Sequence, residues 1–469
     1  MNWFEVMEFA ITLGILLYLM ALQTIALALV VVGAWTVRGY IRRRPLRDYQ
    51  EVCDSPLSLA VTLMVPAYNE ESTIVSSVRA LMHSDFATYE IVVVNDGSTD
   101  ETMQRLISGC DLIPFDRAPR SGLPSEEIRG TYVSRHDGRV FVVDKENGGK
   151  ADALNAAVNY ARYPLICAMD ADTLLDSQAL GRLVWEFQAH PETVAVGGIV
   201  RVANGSVFDG TRLTEVRTPS TLLPNMQIME YLRAFLGARI GWSRYNLLLI
   251  ISGAFGLFRR DAVVEVGGYD SSTVGEDAEL VLRLHRKALE EERDYRITFF
   301  PDPICWTEVP SSMRILSRQR DRWQRGLGEM LWRHRGMFFR PRYKGIGSLA
   351  MPYFLLFEFL SPVVEVFGYA YMIFAIIFGL INPAVAVWFF FFAILMGIAL
   401  SFFVVIIEQH TYRRYLHWRD MGWLCASAIL ENLGYRQYLA LVRFKAMLLM
   451  LRRKNRGWGE MTRVGFESQ

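Results

Sequence analysis

The chain has 469 residues, with 50 Lys and Arg against 49 Asp and Glu, a formal charge of +1. That length exceeds one ordinary domain, and so even a charge balance gives no basis for nucleic-acid binding. A hydrophobic share of 52% with a mean hydropathy of +0.18 is unusual for a wholly water-soluble protein and points to membrane segments. The five cysteines, Cys53, Cys110, Cys167, Cys305 and Cys425, show no CxxC spacing; they read as free thiols in a reducing compartment, with no structural zinc site.

Residues 9–37 hold no charge, more than the ~20 residues a helix needs to cross hydrocarbon. The preceding "MNWFEVMEF" has acids and no base, unlike a secretory signal, so a retained helix is expected. The arginine-rich "RGYIRRRPLR" behind it places that end in the cytoplasm and the N-terminus outside. This first unit, a membrane helix with a basic linker, is assigned to residues 1–50.

Residues 51–310 read as a cytosolic α/β domain. "LAVTLMVPAYNE" is a buried strand running into a loop, followed by the helical spacing of "STIVSSVRALM". "YEIVVVNDGSTDE", "GRVFVVDKENGGKADALNAAVNYA" and "PLICAMDADTLL" repeat the pattern. Alternating strands and helices predict a Rossmann-like, mostly parallel sheet, with ligands at the carboxyl ends of its strands. The polar clusters fall at those ends: Asn69 and Glu70; Asp96; Lys145, Asn147 and Lys150; Asp170 and Asp172. One such residue is commonly a cap or a turn former, but four clusters in one sheet point to a ligand. Asp170 and Asp172 suit a hard divalent cation, Mg²⁺ or Mn²⁺, which takes carboxylate oxygen and leaves room for phosphate. The segment Asp111 to Asp137, rich in Pro, Gly and charge, reads as a surface insertion.

Further on, "VGEDAEL" places Asp277 at the start of a helix, where its plain alternative reading is an N-terminal cap. In "SRQRDRWQRG", Gln319, Arg322 and Trp323 stand at i, i+3 and i+4 and share one helix face. Arg can grip a diphosphate bidentately and Trp can stack on a sugar ring. Residues 311–345 are expected to form amphipathic interface helices, with Arg318, Arg320 and Arg325 meeting anionic lipid. The C-terminal membrane region spans 346–451. Its uncharged run 366–407 divides into two helices at Asn382-Pro383. The stretch 423–451 carries Glu431, Arg436, Arg443 and Lys445 and is a poor simple span. Either its charges line a polymer channel, with Glu431 and Arg436 in the wall, or it is a hairpin hinged near Gly434. The hairpin keeps every basic loop inside, including the basic tail 452–469, and is favoured. GxGxxG and P-loop patterns are absent.

Taken in order, "VPAYNE", "VVNDGSTD", "NGGKADALN", "DAD", "GED" and "QRDRW" resemble the motifs of family 2, GT-A-fold, inverting membrane glycosyltransferases. The chain is similar to cellulose, chitin, hyaluronan and poly-N-acetylglucosamine synthases over residues 60–330 and into the flanking helices. The resemblance implies that Asp96 binds the uridine of a UDP-sugar, with Asn69, Glu70, Lys150 and Asp170 around the nucleotide sugar. It implies that Asp172, with Asp170, holds the metal, and that Asp277 is the general base. Gln319, Arg322 and Trp323 would meet the acceptor or diphosphate, and Ser252 and Gly253 would line the acceptor loop. The family pattern has Thr-Glu-Asp where this chain has Gly275-Glu276-Asp277. The implied donor is UDP-N-acetylglucosamine or UDP-glucose, and the implied acceptor a nascent β-linked polysaccharide. The implied location is the inner (plasma) membrane, multi-pass, with the catalytic domain cytoplasmic. Export or regulatory partners are not identified. A single transfer to a lipid carrier and an inactive membrane scaffold are the alternatives.

Overall fold

A computed structural model describes residues 3–209, 212–380 and 383–451. The tail 452–469 and the expected Asn382 end of the break lie outside the described residues. The strands, in chain order, are β1 (Val61–Ala67), β2 (Tyr89–Asp96), β3 (Leu112–Pro114), β4 (Ile128–Ser134), β5 (Val140–Lys145) and β6 (Leu165–Met169). They continue with β7 (Leu174–Leu175), β8 (Thr193–Val202), β9 (Val207–Asp209), β10 (Arg212–Glu215), β11 (Phe255–Arg259) and β12 (Arg296–Thr307). Ten strands make one sheet in the order β3-β4-β5-β2-β1-β6-β11-β8-β12-β7, and β9 pairs with β10.

The centre, β5-β2-β1-β6, is parallel as the alternating pattern predicts. Its strands are buried along nearly their whole length, which is why they read as continuous Val/Ile/Leu runs. The flanks depart from the expectation: β11 runs antiparallel to both β6 and β8, and β4 antiparallel to β5. The segment 111–137 is therefore more than a surface insertion, because it supplies β3 and β4 and completes one edge of the sheet. Within it Arg117 is buried over the Phe141 ring at 3.6 Å and paired with Glu90 at 3.1 Å.

Among the described residues, three helices are long and apolar enough to cross a membrane: Val6–Leu46, Ile346–Ile377 and Ile394–Thr411. The first packs against a helical segment of the catalytic domain, Leu222–Leu232 continuing through Ser243. Their backbones touch at glycines: a Cβ on Gly33 would lie 2.6 Å from the Leu236 carbonyl oxygen, and one on Gly241 2.8 Å from that of Leu29. Small residues permit such close helix crossings.

The stretch 423–451 does not add a fourth helix of that kind. It is two helices, Trp418–Leu430 and Arg436–Leu451, joined at a kink where Leu433 has φ −112° and Gly434 φ 102°. The second runs alongside the helix Met313–Arg333 in the same direction. Tyr438 Oη meets Ser317 Oγ at 2.6 Å and Arg443 Nε donates to Gln324 Oε1 at 2.8 Å. Further along, a Cβ on Gly328 would meet Met450 at 2.7 Å. Glu431 is fully buried, paired with Arg233 and hydrogen-bonded by Ser401, so it forms no exposed channel wall.

Candidate active site

The polar clusters converge at the carboxyl edge of β1, β2, β5 and β6. Asp96 ends β2 and is buried; its Oδ1 accepts from Lys145 Nζ at 2.6 Å and from the Gly148 N–H at 3.0 Å, and its Oδ2 from the Gly149 N–H at 2.8 Å. Asn147 Nδ2 donates to the Asp96 carbonyl at 2.7 Å. Asp96 thus shapes the Asn-Gly-Gly turn ahead of the helix Lys150–Tyr160. Lys145 is fully buried and also pairs with Asp152 at 2.6 Å, a structural cation between two carboxylates. Asn69, in the left-handed region at φ 55°, and Glu70 tie the end of β1 to the loop after β2. The Thr99 N–H donates to Asn69 Oδ1 at 2.9 Å, and the Glu70 N–H to Thr102 Oγ1 at 2.8 Å.

Lys150 reaches across to β6. Its Nζ donates to Asp170 Oδ1 at 2.6 Å and to the Gly253 carbonyl at 3.1 Å, with Glu276 at 3.8 Å. Burial works against its charge, but Asp170, Glu276 and Asp277 outweigh it and hold its pKa above the ordinary lysine value. The other face of Gly253 holds Asp277, whose Oδ2 accepts the Gly253 N–H at 2.8 Å while its Oδ1 accepts that of Ala278 at 2.8 Å. One peptide segment thus bridges the nucleotide-side lysine and the carboxylate expected to act as base. The fit is close: a Cβ on Gly253 would lie 3.1 Å from Lys150 Nζ and 3.2 Å from Asp277 Oδ2. Ser252 stands beside this contact, its Oγ accepting from the Ala254 N–H at 3.4 Å. Burial raises the neighbouring Glu276 carboxyl, with Lys150 opposing and Asp277 adding to the shift.

Asp172 is buried, at 6% exposure. Asp170 and Asp172 supply oxygen donors of the type a hard cation takes. Among the described residues no group of three or more His, Cys, Asp or Glu could hold a metal ion. Two carboxylates are as many protein ligands as Mg²⁺ commonly takes where phosphate oxygens supply the rest.

Gln319, Arg322 and Trp323 share one face of the helix Met313–Arg333, as their spacing predicts. Arg322 is near enough to Glu276 to favour its ionised form. Trp323 is 44% exposed and stacks under Arg320 at 4.1 Å. Two of the three arginines assigned to lipid are placed otherwise. Arg320 is buried, its Nη2 donating to Glu230 Oε2 at 2.8 Å, and Arg325 pairs with Asp321 at 3.0 Å. Arg318 alone of the three is exposed, because a helix sandwiched between the domain and Arg436–Leu451 leaves little surface for solvent.

Sequence reasoning passed over Leu222–Ser243 altogether, and it lies under the site. Burial lowers Arg239 to about 10, with Asp277 the first of the groups opposing that shift. Burial lifts the Tyr231 phenol to about 12, with Arg320, Arg239 and Asp172 among its charged neighbours. Among the described residues, Arg239 Nη1, Trp242 Nε1 and Gln319 Oε1 are buried polar atoms without a hydrogen-bond partner. The segment bears no motif, so only its placement gives it away.

A parallel-centred sheet with acids and a lysine at its carboxyl edge, capped by a helix bearing Gln-x-x-Arg-Trp, defines a GT-A-type glycosyltransferase. The model of the Glycosyl transferase family group 2 matches residues 165–402, just over half of the chain, and that of Glycosyl transferase family 2 matches residues 62–112. The chain belongs to this family. The poly-beta-1,6-N-acetyl-D-glucosamine synthase of Staphylococcus aureus (strain COL) is 29% identical over 273 residues, covering 58% of this chain and 56% of that protein. Its counterpart in Staphylococcus epidermidis (strain ATCC 35984) is 28% identical over 307 residues, 66% of this chain and 62% of that protein. The chain thus spans less than two thirds of the length of these curated relatives. Among solved structures, a mannosyltransferase from Pyrobaculum calidifontis in complex with GDP-Man and Mn²⁺ shares the fold. The TM-score is 0.51 at 21% identity, covering 88% of this chain and 99% of that one.

Proposed function

We propose that the chain is an inverting, processive membrane glycosyltransferase that passes N-acetylglucosamine from its UDP-sugar to a growing β-linked polysaccharide on the cytoplasmic side. Support comes from the staphylococcal relatives, which are poly-beta-1,6-N-acetyl-D-glucosamine synthases. The observation that carries the reading is the Gly253 peptide, which joins Lys150 on its carbonyl side to Asp277 on its N–H side. A nucleotide-side cation and an acceptor-side base are thereby set in one cleft.

In this reading Asp277 Oδ2 takes the proton of the acceptor hydroxyl as that oxygen attacks the anomeric carbon, and a single displacement inverts the centre. Lys150 and Arg322 hold the diphosphate by charge, and Asp96 keeps the Asn-Gly-Gly turn in shape against the nucleotide. Trp323 offers a ring face to a sugar. A divalent cation held by Asp172 and Asp170 would offset the charge gathering on the departing diphosphate.

The test is purified full-length protein with labelled UDP-N-acetylglucosamine or UDP-glucose and Mn²⁺, followed by sizing of the product. Polymer from UDP-N-acetylglucosamine, lost in excess EDTA, is expected. A product of one sugar on a lipid would replace this reading with single transfer. Asp277→Asn should keep donor KM and lower kcat by ~10²–10⁴-fold, the range of a general base; normal turnover would remove the base assignment.

A further inference from the structure

The face carrying Gln319, Arg322 and Trp323 does not end at Trp323. Positions 326, 329 and 333 continue it down the same helix at steps of three and four. Each of the three meets the short loop 270–275 that leads into Asp277. Gly326 lies against Gly275 backbone to backbone, where a Cβ on Gly326 would sit 2.9 Å from the Gly275 Cα. Glu329 Oε2 accepts from Thr273 Oγ1 at 2.9 Å and from the Val274 N–H at 3.1 Å. Arg333 pairs with Asp270, and its Nη2 donates to Ser272 Oγ at 2.9 Å. Inside the loop the Gly275 N–H donates back to Thr273 Oγ1 at 3.3 Å. A relay therefore runs from the Gly275 N–H through the Thr273 hydroxyl to the Glu329 carboxylate.

We propose that Glu329 is a positioning residue for Asp277: it clamps the 270–275 loop to the helix of the Gln-x-x-Arg-Trp motif and so fixes where the base stands relative to Arg322 and Trp323. The inference rests on the assignment of Asp277 as the base. The physical case is that one carboxylate oxygen gathers two donors from consecutive loop residues, and hydrogen bonds to an ionised acceptor are the strong ones. Thr273 is itself buried at 7% exposure, so water is a poor substitute for the carboxylate there. The helix is one rigid body. A diphosphate or sugar gripped by its first half and a loop stapled to its second half are held in a single frame. Without the staple the loop is still held at its two ends, by Arg333 on Asp270 and Ser272 and by Gly326 on Gly275, but Thr273 and Val274 between them lose their acceptor and the turn before Asp277 loosens.

A misplacement of about 1 Å can cost ~10²-fold in rate, so Glu329→Ala should lower kcat by that order while donor KM stays near wild type. Glu329→Gln keeps an amide oxygen for the Val274 N–H and should restore most of kcat. In an Asp277→Asn background Glu329→Ala should add no further loss, because Glu329 acts through that carboxylate. Thr273→Val, which removes only the hydroxyl, should lower kcat in the same direction and gives the reading if Glu329→Ala does not fold. Normal kcat in Glu329→Ala or in Thr273→Val, a Gln variant as poor as Ala, or additive loss with Asp277→Asn would each overturn the clamp. An inactive Asp277→Asn with a normal Glu329→Ala sinks the clamp alone. A normal Asp277→Asn sinks the base assignment, and the clamp with it.

Discussion

Gly275 stands where the resembled family has threonine, and the structure supplies a reason: Gly326 of the motif helix packs directly on it. A Cβ on Gly275 would lie 3.0 Å from the Gly326 Cα, so Gly275→Thr must push two backbones apart. Overpacking of this kind costs ~1–3 kcal/mol, and the variant should melt lower and turn over more slowly; an unchanged melting temperature would show that the helix gives way freely. Lys145 makes the opposite point about charge. From the sequence it belongs with the strand-end ligand groups, yet it is fully buried between Asp96 and Asp152. Removing one partner of a buried charge cluster costs ~3–5 kcal/mol, so Lys145→Met should lose that order of stability in denaturant unfolding. Near-wild-type stability would mean that the two carboxylates find water.

At the level of elements, the helix Glu276–Glu290 carries Asp277 in its first turn and is anchored midway by a buried histidine. His285 Nε2–H donates to the Leu248 carbonyl at 2.8 Å, and Nδ1 accepts from Tyr295 Oη at 2.8 Å. Burial lowers its pKa from 6.5 to about 4, with the Leu248 hydrogen bond opposing. The depressed value means that this contribution is whole above pH 6.5 and is lost as pH falls toward 4, since the unfolded chain takes up the proton first. The shift corresponds to on the order of 3 kcal/mol. His285→Gln should flatten the acid limb of a stability–pH curve between those values; parallel curves for the two proteins would show that other groups set the limb. The element that sequence handled least well is Leu222–Ser243. It bears no motif, and it matters because its glycines seat it on the first membrane helix while Tyr231 and Arg239 face the site.

Across the whole molecule, the helix Arg436–Leu451 lies beside the motif helix Met313–Arg333 through Tyr438, Arg443 and Met450. If the motif helix rests at the cytoplasmic interface, its neighbour does too, and the kink at Gly434 becomes the turn of a hairpin. A cysteine in place of Ser468 should then resist a membrane-impermeant thiol reagent in intact cells and react after lysis; labelling of intact cells would require a further crossing. The parallel core of the sheet, the strand-end acids, the membrane runs and the spacing of Gln319, Arg322 and Trp323 were all legible in the sequence. Each is a local pattern, set by a short continuous apolar run, by period three to four or by a long uncharged run. Other features came only with tertiary structure. Arg320 was turned inward by Glu230, and Asp172 was buried. Gly253 was placed between Lys150 and Asp277, and Glu329 was set against Thr273. Those outcomes depend on which surfaces meet across residues 20 to 200 positions apart, and no local periodicity encodes that distance.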